Sequence, residues 1–574
     1  MTELPDGVEP PAGSPVGGRG DNGQGENGRG GRDLGRARIP ALRLRHARAA
    51  RQHRSDSTVP DLPPLAERLF PPMPRGGWVG WAGPLMIAAV AGVLRFVNLG
   101  FPRAFVFDET YYPKDAYALL KFGNERAYIA AEQANQRILD GNFDVFGTGP
   151  SYVVHPPLGK WAIAVGEWMF GFNPFGWRFV VALLGTLSVL MVARIGRRLL
   201  RSNLLGCVAG LLLAVDGLAL VMSRTALLDG ILMFWVVAAF GCLLLDRDYA
   251  RSRLARTVSQ PGWRPDSDPL GPWLLNRPWR WAAGVCLGAG LATKWSGLFF
   301  IAVFGVLTVL WDMGARRAVG ARLPAWGALA RDALPAFAAL VLVAVVVYVA
   351  AWAGWFAADD SYLRHWADDR TTSFGFIPDS VRSWWHYHAE AFRFHRELHS
   401  SHVYESHPAG WLVLARPVSF FYTGIDAGEP GCTAPGGCSR AILGLGTPTL
   451  WWLGVIAIGY CLWRWIGRRD WRAGAILSGI VAGYLPWLYY AERTIFYFYA
   501  VVFVPFTVLG ISMMLGAIMG PPNASPWRRG LGIGIAGGLV LMVLLTFVWF
   551  YPIYTAELIP TDQWRQRMWF HTWI

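Results

Sequence analysis

The sequence predicts an all-α polytopic membrane protein of about eleven spanning helices with two large loops on one face. Three observations carry that prediction. Of the 574 residues, 53% are hydrophobic and only 16% charged, against about 25% charged in a typical soluble domain. Apolar runs long enough to cross a hydrocarbon core of about 30 Å recur down the chain. The 30 Trp and 66 Gly are the residue types that collect at membrane interfaces and inside spanning helices.

Taken in order, residues 1–75 are rich in Gly, Pro and Arg and poor in large apolar side chains. Such a segment cannot bury enough surface to fold, and it reads as a disordered cytoplasmic tail. No short apolar core with a small-residue cleavage site lies near Met1, so no cleaved signal peptide is expected. Residues 76–574 form the membrane domain. Its spans are expected near 78–98, 178–198, 204–221, 226–245, 280–293, 295–311, 333–355, 447–466, 471–490, 496–518 and 530–551. The 280–311 run reads as two short helices or one broken one. WAIAVGEWMFG at 160–171 is too short to span and is expected to lie along the interface or re-enter.

Orientation follows from the arginines. Arg197, Arg198 and Arg201 share one connection, and Arg247, Arg251, Arg253 and Arg256 another. Arg316, Arg317 and Arg322 follow, then Arg468, Arg469 and Arg472, then Arg528 and Arg529. Eleven crossings place all of these on one side, which the positive-inside rule makes cytoplasmic. The net charge of +14 is thus assigned to cytoplasmic loops and membrane lipids, with no nucleic-acid partner. The loops 99–177 and 357–446 then lie outside. So does the segment 552–574, which follows the C-terminal helices of 447–551. Cys207, Cys242, Cys286 and Cys461 sit in or at apolar runs and read as inert. Cys432 and Cys438, in GEPGCTAPGGC, have no neighbouring His to complete a metal site. From the sequence, a disulfide and a free pair both remain open for them.

The chemistry-bearing residues fall on the outer face. Asp108 and Glu109 lie in FVFDETYYPKDAYALLKFG, flanked by Phe105, Phe107, Tyr111 and Tyr112. Carboxylates among aromatic rings near a membrane surface are costly and have a task or a cationic partner. The plainer alternative is an interface belt with solvated acids. VHPPLGK holds His155 and Lys160 in a proline-fixed turn. SRTALLDG supplies Arg224 and Asp229, the latter about one turn into a long apolar helix. Lys294 in GLATKWSG, Arg493 in YYAERTIFYFY and Arg178 after GFNPFGW complete the set; each could instead be a snorkelling anchor. Acids and cations together at one rim are what transfer of a sugar from a lipid phosphate to a hydroxyl requires. A carboxylate takes the acceptor's proton, and fixed cations stabilise the departing phosphate. The sugar passes through an oxocarbenium-like state that demands no cofactor.

The combination of FDETYYPKDA, HPPLGKW, SRTALLDG, ATKWSGLF and ERTIFYFY, within similarity running from about residue 78 to the terminal WRQRMWFHTWI, resembles the protein O-mannosyltransferases of actinobacterial type. The resemblance implies the GT-C glycosyltransferase fold and a polyprenyl- or dolichyl-phosphate-mannose donor. It also implies inversion at the sugar carbon and Ser/Thr acceptors in secreted or membrane proteins, modified outside the cytosol. By motif, Asp108 corresponds to the catalytic base and Glu109 to its essential neighbour. His155, Lys160 and Arg178 correspond to conserved elements on the donor side, and Asp229 to the second acid of related lipid-linked sugar transferases. Charge and side alone assign phosphate contact to Lys160, Lys294 and Arg493, with Arg224, Tyr111 and Tyr112 in support. The loop 357–446 is too short for the β-trefoil insertion of eukaryotic members. It reads as Trp/His-rich helical and loop segments over an acceptor groove, without metal-ligand spacing. A divalent metal assisting the phosphate, and coupling to the secretion machinery, stay open. Two other functions compete: a GT-C transferase using another sugar or a lipid or cell-wall acceptor, and a lipid-linked sugar transporter. The one-sided clustering of charge and the lack of a repeated DET or HPPL pattern count against transport.

Overall fold

The computed structural model describes residues 65–74, 76–264, 268–371 and 375–574. The tail expected over 1–75 lies outside the described residues up to position 64. The rest of that stretch is ordered and packed: a five-residue helix, Leu65–Leu69, buries Leu69 against Leu254, Ala255 and Val258. Arg197 and Arg201 donate to the carbonyls of Pro74 and Pro71. Leu65, Leu69 and Phe70 are the apolar residues that permit this, so residues 65–74 pack with the membrane domain.

The helices that build and position the site are α1 (Val79–Phe96), α2 (Tyr112–Phe122), α3 (Ala131–Leu139), α4 (Leu158–Phe170) and α5 (Pro174–Leu200). Then come α6 (Asn203–Ala214), α7 (Gly217–Met222), α8 (Leu228–Val258), α9 (Pro278–Leu291) and α10 (Gly297–Ala318). The chain continues through α11 (Pro324–Ala351), α12 (Asp379–Glu397), α13 (Pro448–Arg468) and α14 (Trp471–Tyr489). It ends with α15 (Val504–Met519), led by a 3-10 turn at Tyr497–Phe503, and α16 (Pro526–Phe550). Helices occupy every apolar run that the sequence marks. Among the described residues, eight helices are long and apolar enough to cross a membrane: α1, α5, α8, α10, α11, α13, α15 with its leading turn, and α16. The α6–α7 pair, α9 and α14 are shorter or less apolar, so the structure establishes eight such helices and not the expected eleven.

Local chemistry sets the helix starts. Asn173 accepts from the N–H groups of Phe175 and Gly176 ahead of α5, with Pro174 at the first position. Ser202 caps α6, Asp216 caps α7, Asp470 caps α14 and Ser525 caps α16. At the bundle's centre, α5 packs against α1, α4, α6 and α8, and α8 also meets α9 and α10. Close approach is made by small residues, as expected where lipid offers no hydrophobic drive between helices. A Cβ on Gly206 would stand 2.6 Å from the Ala193 carbonyl oxygen, and one on Gly284 only 1.8 Å from that of Ala339.

The first loop is compact. After α1 come a 3-10 turn at Phe107–Thr110, α2, the strand β1 (Arg126–Tyr128), α3, the strand β2 (Phe146–Pro150) and α4. β1 and β2 pair antiparallel. The short α4 packs on α2 and α5. The long loop carries α12 as expected, but also a hairpin that helical and loop segments did not anticipate. β3 (Val418–Ile425) pairs antiparallel with β4 (Cys438–Gly444), and β4 with β5 (Ile559–Pro560). VSFFYTGI has the β-branched and aromatic content of a strand, and Gly/Pro residues fill the connection. Cys432, in the β3–β4 connection, and Cys438, at the start of β4, are joined by a disulfide. The segment 552–574 is pinned to the long loop: Trp573 Nε1 donates to Leu414 O at 2.7 Å, and Arg416 to Thr572 O at 2.6 Å.

Gly284→Ala is expected to separate α9 from α11 and cost about 1–3 kcal/mol, as overpacking does. A lowered melting temperature in detergent reads this out. Gly305→Ala, whose Cβ would meet nothing within 4 Å, should leave the melting temperature no lower.

Candidate active site

The site starts from two adjacent carboxylates that the fold treats oppositely. Phe107 adopts a left-handed backbone, φ 52°, and its ring is held by edge contacts with His402, Phe420, Phe496 and Phe498. This anchors the turn that carries Asp108 and Glu109. Glu109 is fully buried and accepts four hydrogen bonds. Arg178 Nε reaches its Oε1 at 2.8 Å and Arg178 Nη2 its Oε2 at 2.7 Å, while the backbone N–H groups of Ala226 and Val106 complete the set at 2.9 Å each. Arg178, 1% exposed, gives its remaining donors to the carbonyls of Leu99, Pro102 and Ala104. The pair ties the start of α5 and the segment before α8 to the turn.

The Asp108 carboxylate, by contrast, accepts no hydrogen bond from the described residues; only its backbone carbonyl does, from Tyr111 N–H at 3.0 Å. Burial pushes its carboxyl up to about 7; nearby Lys294 offsets part of that and Asp229 adds to it. One acid is fixed as structure, and its neighbour is left unbonded with proton affinity in the range a general base needs.

Across from this turn, Lys294, in the short connection between α9 and α10, donates to both oxygens of Asp229 at 2.8 and 2.9 Å. Its ammonium lies 3.9 Å from the centre of the Tyr499 ring. Asp229 sits in the first turn of α8, as the sequence placed it. His155 stands on the same side, its ring 6.1 Å from that of Tyr112 and 5.3 Å from that of His395. Burial, then Lys294, His395, Lys160 and Arg493, hold His155 well below the ordinary imidazole range, so it is neutral. His395, from the last turn of α12, faces the Val154 carbonyl through Nε2 at 3.0 Å and is lowered to about 4, chiefly by burial. A neutral ring that donates there has an accepting Nδ1. The Nδ1 atoms of His155 and His395 and Nε of Arg493 are buried without a partner. With the Asp108 carboxylate and the third N–H of Lys294, they are polar atoms at this rim that remain free to meet a ligand.

Two cations expected at a phosphate are committed elsewhere. All five N–H groups of Arg178 are used by Glu109 and backbone carbonyls. Lys160, fully buried, bonds Glu125 at 2.5 Å and lies 3.8 Å from Asp115, tying α4 to α2 and the start of β1. Arg224 caps the end of α1, donating to the carbonyls of Leu94, Arg95, Val97 and Asn98, which are the orphan acceptors of a helix terminus. Tyr111 points away, 51% exposed. Sequence reasoning passed over His395, Tyr499, Asp115 and Glu125. For His395 a signal existed: His388 and His395 are seven residues apart on one helix, and both rings lie against Trp295. Among the described residues no group of three His, Cys, Asp or Glu is placed to hold a metal ion.

Residues 85–320 match the family described as dolichyl-phosphate-mannose-protein mannosyltransferase. Residues 380–573 match the C-terminal four-helix membrane region of protein O-mannosyltransferases. A polyprenol-phosphate-mannose–protein mannosyltransferase of Mycolicibacterium smegmatis is 41% identical over 508 residues, covering 86% of this chain and 93% of the relative. The chain belongs to the protein O-mannosyltransferase family. Members carrying the same description in Mycobacterium tuberculosis and Corynebacterium glutamicum are 40% and 34% identical, covering 86% and 89% of this chain and 92% and 97% of theirs. The solved Saccharomyces cerevisiae Pmt1–Pmt2 complex bound to the sugar donor shares the fold, with TM-score 0.66 and 14% identity over 89% of this chain and 94% of that one. The chain is thus a multi-pass membrane protein of the GT-C class, as its motifs implied.

Glu109→Ala in this family member strands the Arg178 guanidinium in the interior. A loss of about 3–5 kcal/mol is expected, the usual result of breaking a buried ion pair. It would be measured as a large fall in melting temperature, whereas Asp108→Asn should melt like the parent.

Proposed function

We propose that the protein transfers mannose from polyprenyl-phosphate-mannose to Ser/Thr hydroxyls of secreted or membrane proteins, with inversion at the sugar carbon. The observation that carries this reading is the half-buried Asp108 carboxylate, without a hydrogen-bond donor and within electrostatic range of Lys294, in a chain that aligns along most of its length with relatives named for this reaction. Asp108 takes the proton of the acceptor hydroxyl as its oxygen attacks mannose C1. The bond from C1 to the phosphate oxygen breaks on the opposite face, and its electron pair leaves with the polyprenyl phosphate. Arg493, through its free Nε, and Lys294, through the N–H not given to Asp229, stabilise the charge that develops there. His155 and the accepting Nδ1 of His395 are suited to sugar hydroxyls. Arg178 and Lys160 contribute as holders of the turn and of α4. No step calls on a cofactor.

The catalytic rim faces away from the cytosol on this reading, and the N-terminus lies inside. Support comes from the opposite helix ends, where Arg198, Arg247, Arg316, Arg468 and Arg472 gather. Proteins in transit through the secretion machinery are then the acceptors within reach.

In proteoliposomes, radiolabelled polyprenyl-phosphate-mannose and a Ser/Thr peptide should yield labelled peptide. Label found only in lipid or glycan would favour the alternative acceptor and overturn the proposal. Asp108→Asn should reduce turnover by about 10²–10⁴-fold, the usual share of a general base.

A pH dependence follows from the raised Asp108. Its carboxyl is protonated, and inactive as a base, below about 7 and ionised above. The ratio kcat/KM should therefore climb with rising pH, by about tenfold per unit on the acid side, and level off past neutrality. A flat profile from roughly pH 5.5 to 8.5 would remove Asp108 from that role.

A further inference from the structure

The end of α8 remote from the active site holds charge that the proposed reaction does not use. Asp229 and Arg247 are on one helix, and at 1.5 Å per residue the interval between them is about 27 Å, nearly the thickness of the hydrocarbon core. Arg247 therefore belongs to the opposite rim. It is only 6% exposed. Its guanidinium carbon lies 3.3 Å from the centre of the Trp471 ring and 5.7 Å from that of Trp311. It makes no hydrogen bond to the described residues: Asp248 Oδ1 is 3.6 Å away, and its buried Nε has no partner. One turn on, Arg251 likewise has a buried Nε without a partner, and both lie within electrostatic range of each other.

The local charge does not balance. Asp248 already bonds Arg198 at 2.5 Å and has Arg201 at 3.5 Å. The next carboxylates, Asp246 and Asp312, are held by Arg277 and Arg280. Among the described residues, the four guanidiniums of Arg198, Arg201, Arg247 and Arg251 thus face Asp248, with Asp312 in electrostatic range of Arg247 and Arg251 but already paired. Removing that much like charge from water is unfavourable without an anion. A guanidinium placed over the Trp471 ring, with its Nε unpartnered, keeps N–H donors for an oxyanion, and guanidinium binds phosphate oxygens in pairs.

We propose that this rim is a binding site for a phosphate oxyanion, presented by the headgroup of an anionic phospholipid in the leaflet opposite the active site. The test uses the purified full chain in maltoside detergent, with phosphatidylglycerol, phosphatidylcholine and inorganic phosphate as probes. Native mass spectrometry should show phosphatidylglycerol retained in preference to phosphatidylcholine, with a matching rise in melting temperature. Arg247→Gln and Arg251→Gln should each weaken retention by about tenfold, as loss of a charge-assisted bond does, while mannosyl transfer persists and reports an intact fold. A response to inorganic phosphate that phosphatidylglycerol does not exceed would support the oxyanion site with free phosphate as its source. Equal retention of the two lipids with no response to phosphate, or undiminished retention in both variants, would overturn the proposal.

Discussion

The buried pair of Glu109 and Arg178 is the constraint on which the catalytic rim depends. Two ions taken out of water are stable together only when every lone pair and proton is satisfied. Here the carboxylate has four donors and the guanidinium uses all five of its N–H groups. Those partners come from the end of α1, the 3-10 turn, the start of α5 and the segment leading into α8. One interaction therefore fixes four pieces of chain and, with them, the side chain next to Glu109. Asp108 is placed by this pair without sharing its donors, which all go to Glu109 or to backbone carbonyls.

The same division of labour repeats around the rim. Lys160 is neutralised by Glu125 and Asp115 and joins α4 to α2. Lys294 is neutralised by Asp229 but rests on the Tyr499 ring and retains a donor. Arg493, His155 and His395 stay without partners at the atoms that matter. A transferase for a charged lipid needs both kinds of group. Fully paired ions hold the geometry without reorganising, and incompletely paired ones respond when charge develops. The helix α12 of the long loop delivers His395 to the rim, so that loop is part of the site's wall as well as its cover.

Much of this was legible in the sequence, and the rest was hidden for a physical reason. The apolar runs gave each helix near its observed position, because hydrocarbon thickness imposes length and composition directly. The acids and cations of the rim were also legible as a set. Their partnerships were not, since Glu109 and Arg178 are 69 residues apart, Asp229 and Lys294 65, and Lys160 and Glu125 35. Composition shows that a cation is near a membrane face, but not whether a distant carboxylate has already claimed it. Hence Arg178 and Lys160 read as phosphate ligands when they are ties. The β3–β4 hairpin escaped because its two strands are short and their Trp/His-rich surroundings suggested helix. The Cys432–Cys438 bridge, left open by the sequence, closes that hairpin's connection.

The two ends of α8 bear on how a lipid-borne substrate is met at a fixed depth. Between Asp229 and Asp246 the helix reads GILMFWVVAAFGCLLL, with no ionisable group except a cysteine. At 1.5 Å per residue that stretch is about 24 Å long, so it fits within the hydrocarbon with little slack. Sliding α8 along the membrane normal would pull either Asp229 with Lys294 or the Asp246–Arg247–Asp248 cluster into the apolar layer. Neither displacement is affordable for ionised groups. The helix is thereby held in depth from both sides, and Asp229 holds Lys294 at its own depth. Because Glu109 bonds the backbone N–H of Ala226, three residues before Asp229, Asp108 inherits the same register. The distance between Asp108, the proposed base, and the plane of lipid phosphates is then a property of where charge stops and apolar sequence begins on one helix.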